Sequence, residues 1–230
     1  MQKQEITEEI VKGVELLGGG ANGFNQETIE KTYDAVADQY EKLMVTMGHP
    51  DPEQCGEMAL SLLGSDLSQM SALDMGCGTG MVGAALKVRG VAEVIGIDAS
   101  AGMIEIAKQK NCYDQIIHMY LGKPSAYPAK LRSRFDIITA AAILAEGHLG
   151  VEVFDEMIHS LKRGGYAIFT TREMYLDKYN YRHAIEELER RGFWKKVKES
   201  KFQKYQNIEK GTKIGRYETV DVMIYAYKKL

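Results

Sequence analysis

The chain has 230 residues, 45% of them hydrophobic and 27% charged, with a formal net charge of -3. That length suits one domain with a small extension and can bury a full core, while the slightly acidic balance argues against a phosphate-binding surface, which needs concentrated basic residues. No apolar stretch approaches the ~20 residues of a membrane span, the polar start Met1–Glu9 does not read as a signal peptide, and Cys55, Cys77 and Cys112 lack metal or disulfide spacing, as expected of reduced thiols in a cytoplasmic protein.

Ile6, Ile10, Val14 and Leu17 recur at helical spacing, and Gly18-Gly19-Gly20 ends the pattern. No strand precedes those glycines and no Lys-Ser/Thr follows, so they read as a linker rather than a phosphate loop. A second helix is expected from about Glu27 to Met47, with Tyr33, Ala37, Tyr40 and Met44 on one face, and a third through Met58 and Leu62. Residues 1–50 thus form a helical segment, expected to act as a lid on the domain spanning 51–230.

From Met70 strand and helix signals alternate. Strands are expected over Ser71–Met75, Val91–Ile97, Ile116–Leu121, Phe135–Ile143 and Tyr166–Thr171. Helices are expected after Gly80, over Ala101–Lys110 and over Val151–Leu161, the last stopped by Gly164-Gly165. Such alternation implies a parallel sheet covered by helices on both faces. A helix over Tyr181–Arg191 and two β-rich stretches, around Lys195–Tyr205 and Glu218–Tyr227, predict an antiparallel hairpin at one sheet edge. The basic run Lys195–Lys201 is interrupted by Glu199 and reads as a solvated strand or turn.

Asp74-Met75-Gly76-Cys77-Gly78-Thr79-Gly80 sits at the first strand-to-helix junction. Glycines there let the backbone turn tightly and approach a ligand, and the following helix start offers N–H groups to an anionic moiety. Roughly 20 residues on, Asp98 ends the second strand, where a carboxylate can accept both hydroxyls of a ribose. A dinucleotide loop would want glycine where Met81 stands. The combination points to S-adenosylmethionine rather than a nicotinamide cofactor.

With these features the sequence resembles the class I S-adenosylmethionine-dependent methyltransferases from about residue 30 onward. Within them it is similar to the small methyltransferase-like proteins of the Williams–Beuren chromosomal region. The shared stretches are Tyr33–Tyr40 (Tyr-Asp-x-x-Ala-x-x-Tyr), Leu73–Gly80, Gly96-Ile97-Asp98, Leu121-Gly122, Ala145-Glu146-Gly147-His148 and Lys162–Gly165. The resemblance implies a Rossmann-like α/β sheet of seven strands in the order 3-2-1-4-5-7-6, with strand 7 antiparallel. It also implies cofactor contacts from Asp74, from Gly76, Cys77 and Gly78 at the methionine part, from Asp98 at the ribose, and from Ala99 and Met103 beside the adenine. Leu121 and Gly122 would meet the adenine edge through backbone, and Ala140 and Ala141 would offer carbonyls near the sulfonium. Many relatives carry an acidic residue after strand 3 to read the adenine amino group; here Gly122-Lys123 stands instead.

Tyr33 and Tyr40 suit either a core stripe or a lid whose rings face the sulfonium cation. His148 and Glu146 follow strand 4 at the rim where an acceptor would sit. His148 is either a catalytic base oriented by Glu146 or a helix-capping surface residue. No paired carboxylates with metal-ligand spacing stand near the strand ends, so a metal-independent enzyme is expected. The reaction expected is methyl transfer to a small-molecule acceptor, with no nucleic-acid or membrane partner. A protein methyltransferase and a non-catalytic cofactor-binding module are the alternatives.

Overall fold

Short apolar runs bounded by turns become a seven-stranded sheet in the computed structural model, which describes residues 7–17, 26–211, 213–214 and 217–230. The glycine run at 18–20 lies outside the described residues. The strands are β1 Ser71–Met75, β2 Glu93–Asp98, β3 Gln115–His118, β4 Phe135–Leu144, β5 Leu161–Thr171, β6 Trp194–Lys204 and β7 Val220–Lys229. Their order is β3-β2-β1-β4-β5-β7-β6. The first five are parallel, and β7 runs antiparallel to both β5 and β6, as the resemblance implies.

Side chains alternate across the sheet and build a core on each face. Leu73, Met75, Ile95, Phe135, Ile138, Phe169 and Tyr227 pack with α6 (Val153–Ser160) and α8 (Tyr181–Arg190). Ala72, Val94, Ile137, Ile168 and Ile224 pack on the other side with α3 (Asp51–Leu63) and α4 (Met81–Val88). At the outer edge β6 exposes Lys195, Lys196, Lys198 and Lys201, a charged border that discourages pairing with another strand.

The third core joins distant parts of the chain. Val14 and Leu17 of α1 (Glu8–Leu17) pack with Val36, Leu43 and Met47 of α2 (Gln26–Met47). The same cluster includes Met103 of α5 (Ala101–Gln109), together with Tyr205, Ile208 and Tyr217 between β6 and β7. Asp34 pins α2 to the start of α5: its Oδ1 accepts from the Ser100 hydroxyl at 2.5 Å and the Gly102 N–H at 2.9 Å. Through this anchor α2 lies over the carboxyl end of the sheet.

Two strand boundaries and one helix depart most from the sequence reading. β3 stops at His118 because the chain turns at Gly122, whose N–H and that of Lys123 are held by the Glu156 carboxylate at 2.8 Å each. β5 begins at Leu161, and Gly164-Gly165 lie inside it, because Leu161 pairs with Phe135 ahead of a register shift. An unexpected helix, α7 (Glu173–Lys178), follows β5 and buries only Tyr175 and Leu176, too few residues to leave a helical period.

Candidate functional site

The glycine loop is built by the end of β2. Gly76 and Cys77 both donate their N–H to the Ile97 carbonyl, at 2.8 and 2.9 Å. Gly76 has φ +72°, and a Cβ there would overlap Cγ2 of Ile143, so this position requires glycine. Gly78 then donates to Asp98 Oδ2 at 2.7 Å, while Asp98 Oδ1 accepts from the Ser100 N–H at 2.9 Å. A carboxylate has about four lone-pair sites, so two remain for a pair of ribose hydroxyls. Burial raises the Asp98 pKa, against the hydrogen bonds from the Ser100 and Gly78 N–H groups and the nearby Ala99 N–H, which favour its charge.

Around this corner lies a cavity of about 390 Å³, within the size range of nucleoside and cofactor pockets. Its walls include the expected Gly76, Gly78, Asp98, Ala99, Met103, Leu121, Gly122 and Ala141, with Tyr33 and Tyr40 from α2. These groups fit the adenosyl and methionine parts of S-adenosylmethionine: a close-approach glycine loop, a ribose acceptor and apolar walls for adenine. Ser100, Met119, Tyr120, Lys123, Ala142, Ile143 and Leu149 line it too and were not foreseen, nor were Ile29 and Glu30. The last two lie one helical turn before Tyr33, which is the signal that could have found them.

Asp74, Cys77 and Ala140 do not reach the wall. Asp74 is fully buried beneath the loop, accepting from Tyr113 Oη at 2.7 Å and Thr139 Oγ1 at 2.8 Å. Burial pushes its pKa up to about 6, with those two hydrogen bonds opposing the rise. Cys77 is turned inward against Gly96, and burial pushes its thiol up. Ala140 falls on the strand face occupied by the core, where it is fully buried. Gly122 lines the cavity, but its N–H is committed to Glu156, leaving its carbonyl for a ligand.

His148 sits where the cavity meets a second chamber of about 70 Å³, and both share Tyr33, Tyr40 and Ala142 as walls. Its Nδ1 is 2.8 Å from the Glu146 carbonyl oxygen, which can only accept, so Nδ1 carries the proton. Its Nε2 then accepts from the Tyr33 hydroxyl at 2.9 Å. Glu146 thus contacts the His148 ring through its main-chain carbonyl, while its carboxylate pairs with Lys178 at 3.0 Å on the surface. Tyr33 also stands edge-on to Tyr40 and to His148, with centroids 6.0 and 5.8 Å away. Burial raises the pKa of the Tyr40 phenol, keeping it neutral.

Ala142, in the shared wall, has φ +61° at a bulge in β4. Its N–H donates to Thr170 Oγ1 at 2.9 Å, and that hydroxyl donates to Asp51 Oδ1 at 2.9 Å. Asp51 also meets Lys204 Nζ at 3.3 Å. Burial would raise the Asp51 pKa, but His49 and Lys204 hold its carboxyl well below the usual range. A buried hydrogen-bonded pair thus fixes the strained bulge that separates the two spaces.

The family model for the methyltransferase domain matches residues 66–220. Human methyltransferase-like protein 27 is 29% identical over 167 residues, 70% of this chain; the chain spans 66% of the length of that relative. Among solved structures, a TehB-like S-adenosylmethionine-dependent methyltransferase from Corynebacterium glutamicum aligns with TM-score 0.59 at 18% identity, over 87% of this chain and 99% of that one. The N-methyltransferase NodS from Bradyrhizobium japonicum, in complex with S-adenosyl-L-homocysteine, aligns with TM-score 0.53 at 18% identity, over 77% and 86%. The last two likenesses speak for the fold. The matched segment carries the glycine loop, Asp98 and the whole sheet up to the start of β7, and on that match the chain belongs to the methyltransferase domain family.

Proposed function

We propose that the protein is an S-adenosylmethionine-dependent methyltransferase acting on a small molecule, with residues 1–50 as its lid. The observation that carries the acceptor reading is the position of α2: it roofs the cofactor cavity, and the Tyr33–His148 hydrogen bond closes over the small chamber beside it. An acceptor seated there is half-enclosed, which suits a metabolite better than a folded protein or a nucleic acid. The stretches Tyr33–Tyr40 and Ala145–His148 support a place among the Williams–Beuren methyltransferase-like proteins.

Bound in the larger cavity, S-adenosylmethionine would supply a methyl group that its sulfonium activates for transfer to a lone pair of the acceptor, with the C–S electrons left on sulfur. The chain's own part is alignment and exclusion of water, which can contribute ~7–11 kcal/mol. Asp98 would hold the ribose, the backbone of Gly76 and Gly78 would take the methionine part, and Tyr33 and Tyr40 would present electron-rich rings to a cation. When the acceptor has a proton to lose, the Tyr33 hydroxyl can take it while passing its own proton to His148 Nε2, to which it is hydrogen-bonded. Calorimetry should give binding of S-adenosylmethionine and S-adenosylhomocysteine and none of NAD, and a metabolite panel should yield methyl transfer. NAD binding without adenosyl-ligand binding would overturn the reading. Cofactor binding with no turnover would favour a binding module, and turnover only on protein would favour the protein-methylating alternative.

A further inference from the structure

The chamber beside the cofactor cavity carries a charge imbalance that methyl transfer does not itself require. Its wall holds Asp51 at the start of α3, Lys204 at the end of β6 and Arg172 between β5 and α7. Asp51 and Lys204 are buried and compensate each other at 3.3 Å. His49 Nδ1 lies 2.8 Å from the other Asp51 oxygen, and burial lowers the pKa of the imidazole in spite of that neighbour; the ring can add positive charge here but cannot remove it. Two cations against one carboxylate leave one positive charge uncompensated.

That charge is Arg172. Among the described residues its guanidinium has no ion pair or side-chain hydrogen bond; it faces the rings of Tyr175 and Tyr205, with centroids 5.5 and 6.0 Å away. The rings steady the planar group by cation–π attraction and leave its five N–H donors for a ligand. Arg172 is also close enough to Lys204 to help lower the ammonium's pKa, after the larger effect of burial. Like charges brought together in a half-enclosed space are held ready for an anion.

We propose that this chamber binds the anionic group of the methyl acceptor, making the substrate a small carboxylic acid held by Arg172. The proposal rests on the methyltransferase reading above and specifies its substrate class. A guanidinium fork matches a planar carboxylate with two parallel hydrogen bonds, and a chamber of about 70 Å³ admits a group of that size. The rest of the acid reaches past Tyr33 and His148, which line both spaces, to the transferable methyl.

The test uses the full chain saturated with S-adenosylhomocysteine and a set of small carboxylic acids, each paired with its primary amide. Acids should raise the melting temperature of the complex and amides should not. In methyl transfer from labelled S-adenosylmethionine, an accepted acid should show a KM lower than its amide by about tenfold or more, the scale of one charge-assisted bond. Arg172→Gln should raise the acid's KM by a similar factor, about tenfold, with kcat and S-adenosylhomocysteine affinity nearly unchanged; Arg172→Lys should recover part of the loss. Equal stabilisation by acids and amides, preference for a cationic amine, or an unchanged acid KM in Arg172→Gln would overturn the proposal. If the wild-type protein fails to bind S-adenosylhomocysteine, the methyltransferase reading falls instead. The acid-against-amide comparison, run on the protein alone, then still decides whether the chamber takes anions.

Discussion

Replacing Asp98 with alanine tests the cofactor corner most directly. The carboxylate receives the Gly78 N–H at 2.7 Å and the Ser100 N–H at 2.9 Å and has two lone-pair sites left for ribose. Losing a hydrogen bond to a charged group is worth about 1.5–3 kcal/mol, so the dissociation constant for S-adenosylhomocysteine should rise roughly 10- to 150-fold. Calorimetry measures it, with circular dichroism to confirm folding. Because the substitution also strips two N–H groups of their partner, the ribose contact needs its own readout. Wild-type protein should bind 5′-methylthioadenosine more tightly than its 2′-deoxy analogue, whereas Asp98→Ala should bind the two alike. An unchanged dissociation constant in a folded variant, or equal binding of both ligands to wild type, would refute the ribose role.

Gly76→Ala places a methyl against Ile143 Cγ2 at φ +72°; the left-handed backbone alone costs ~1–2 kcal/mol, so the melting temperature should fall by about 2–8 °C and cofactor binding should weaken with it. His148→Ala should lower kcat by about 10²- to 10⁴-fold, the usual range for a general base, with cofactor affinity within about twofold; wild-type turnover would leave alignment as the whole mechanism. Asp74, raised to about 6 by burial, stabilises the fold fully below its ordinary pKa of 3.8 and loses that contribution as pH rises through 6, a loss of roughly 3 kcal/mol. The melting temperature of wild type should therefore fall relative to Asp74→Asn between about pH 4 and 6.5, and parallel profiles would contradict it. Hydrogen exchange in α2 should slow on adding S-adenosylhomocysteine if the segment is a lid, and equal rates would make it permanent packing.

The sheet and the glycine corner were legible because both rest on local rules. Ser71–Met75 ending in Asp74-x-Gly-x-Gly, and an aspartate closing β2, are dictated by backbone turn and ligand approach. Asp74, Cys77 and Ala140 lie off the cavity wall, because proximity to the motif in sequence does not say which side of the sheet a side chain meets. The second chamber was not legible at all. Asp51, Arg172 and Lys204 come from three separated segments, and only the antiparallel return of β6 and β7 brings Lys204 beside α3. The Glu146 carboxylate was placed by its nearness to His148, whereas the turn uses the peptide carbonyl and frees the side chain for Lys178.

The phenol that steadies Asp74 has a consequence for how this loop can change over time. Tyr113 fills the space under α4: a Cβ at Gly83 would run into its ring, and its hydroxyl accepts from the Gly83 N–H at 3.2 Å while donating to Asp74. Positions 83 and 113 are therefore size-matched. Alanine or serine at 83 cannot be admitted while tyrosine stands at 113, and shrinking 113 first would empty the space and leave Asp74 short of a donor. Divergent copies of this protein should change the two together or neither, and a library randomised at both positions should return large-with-glycine or small-with-small pairs, with the mixed large combinations missing.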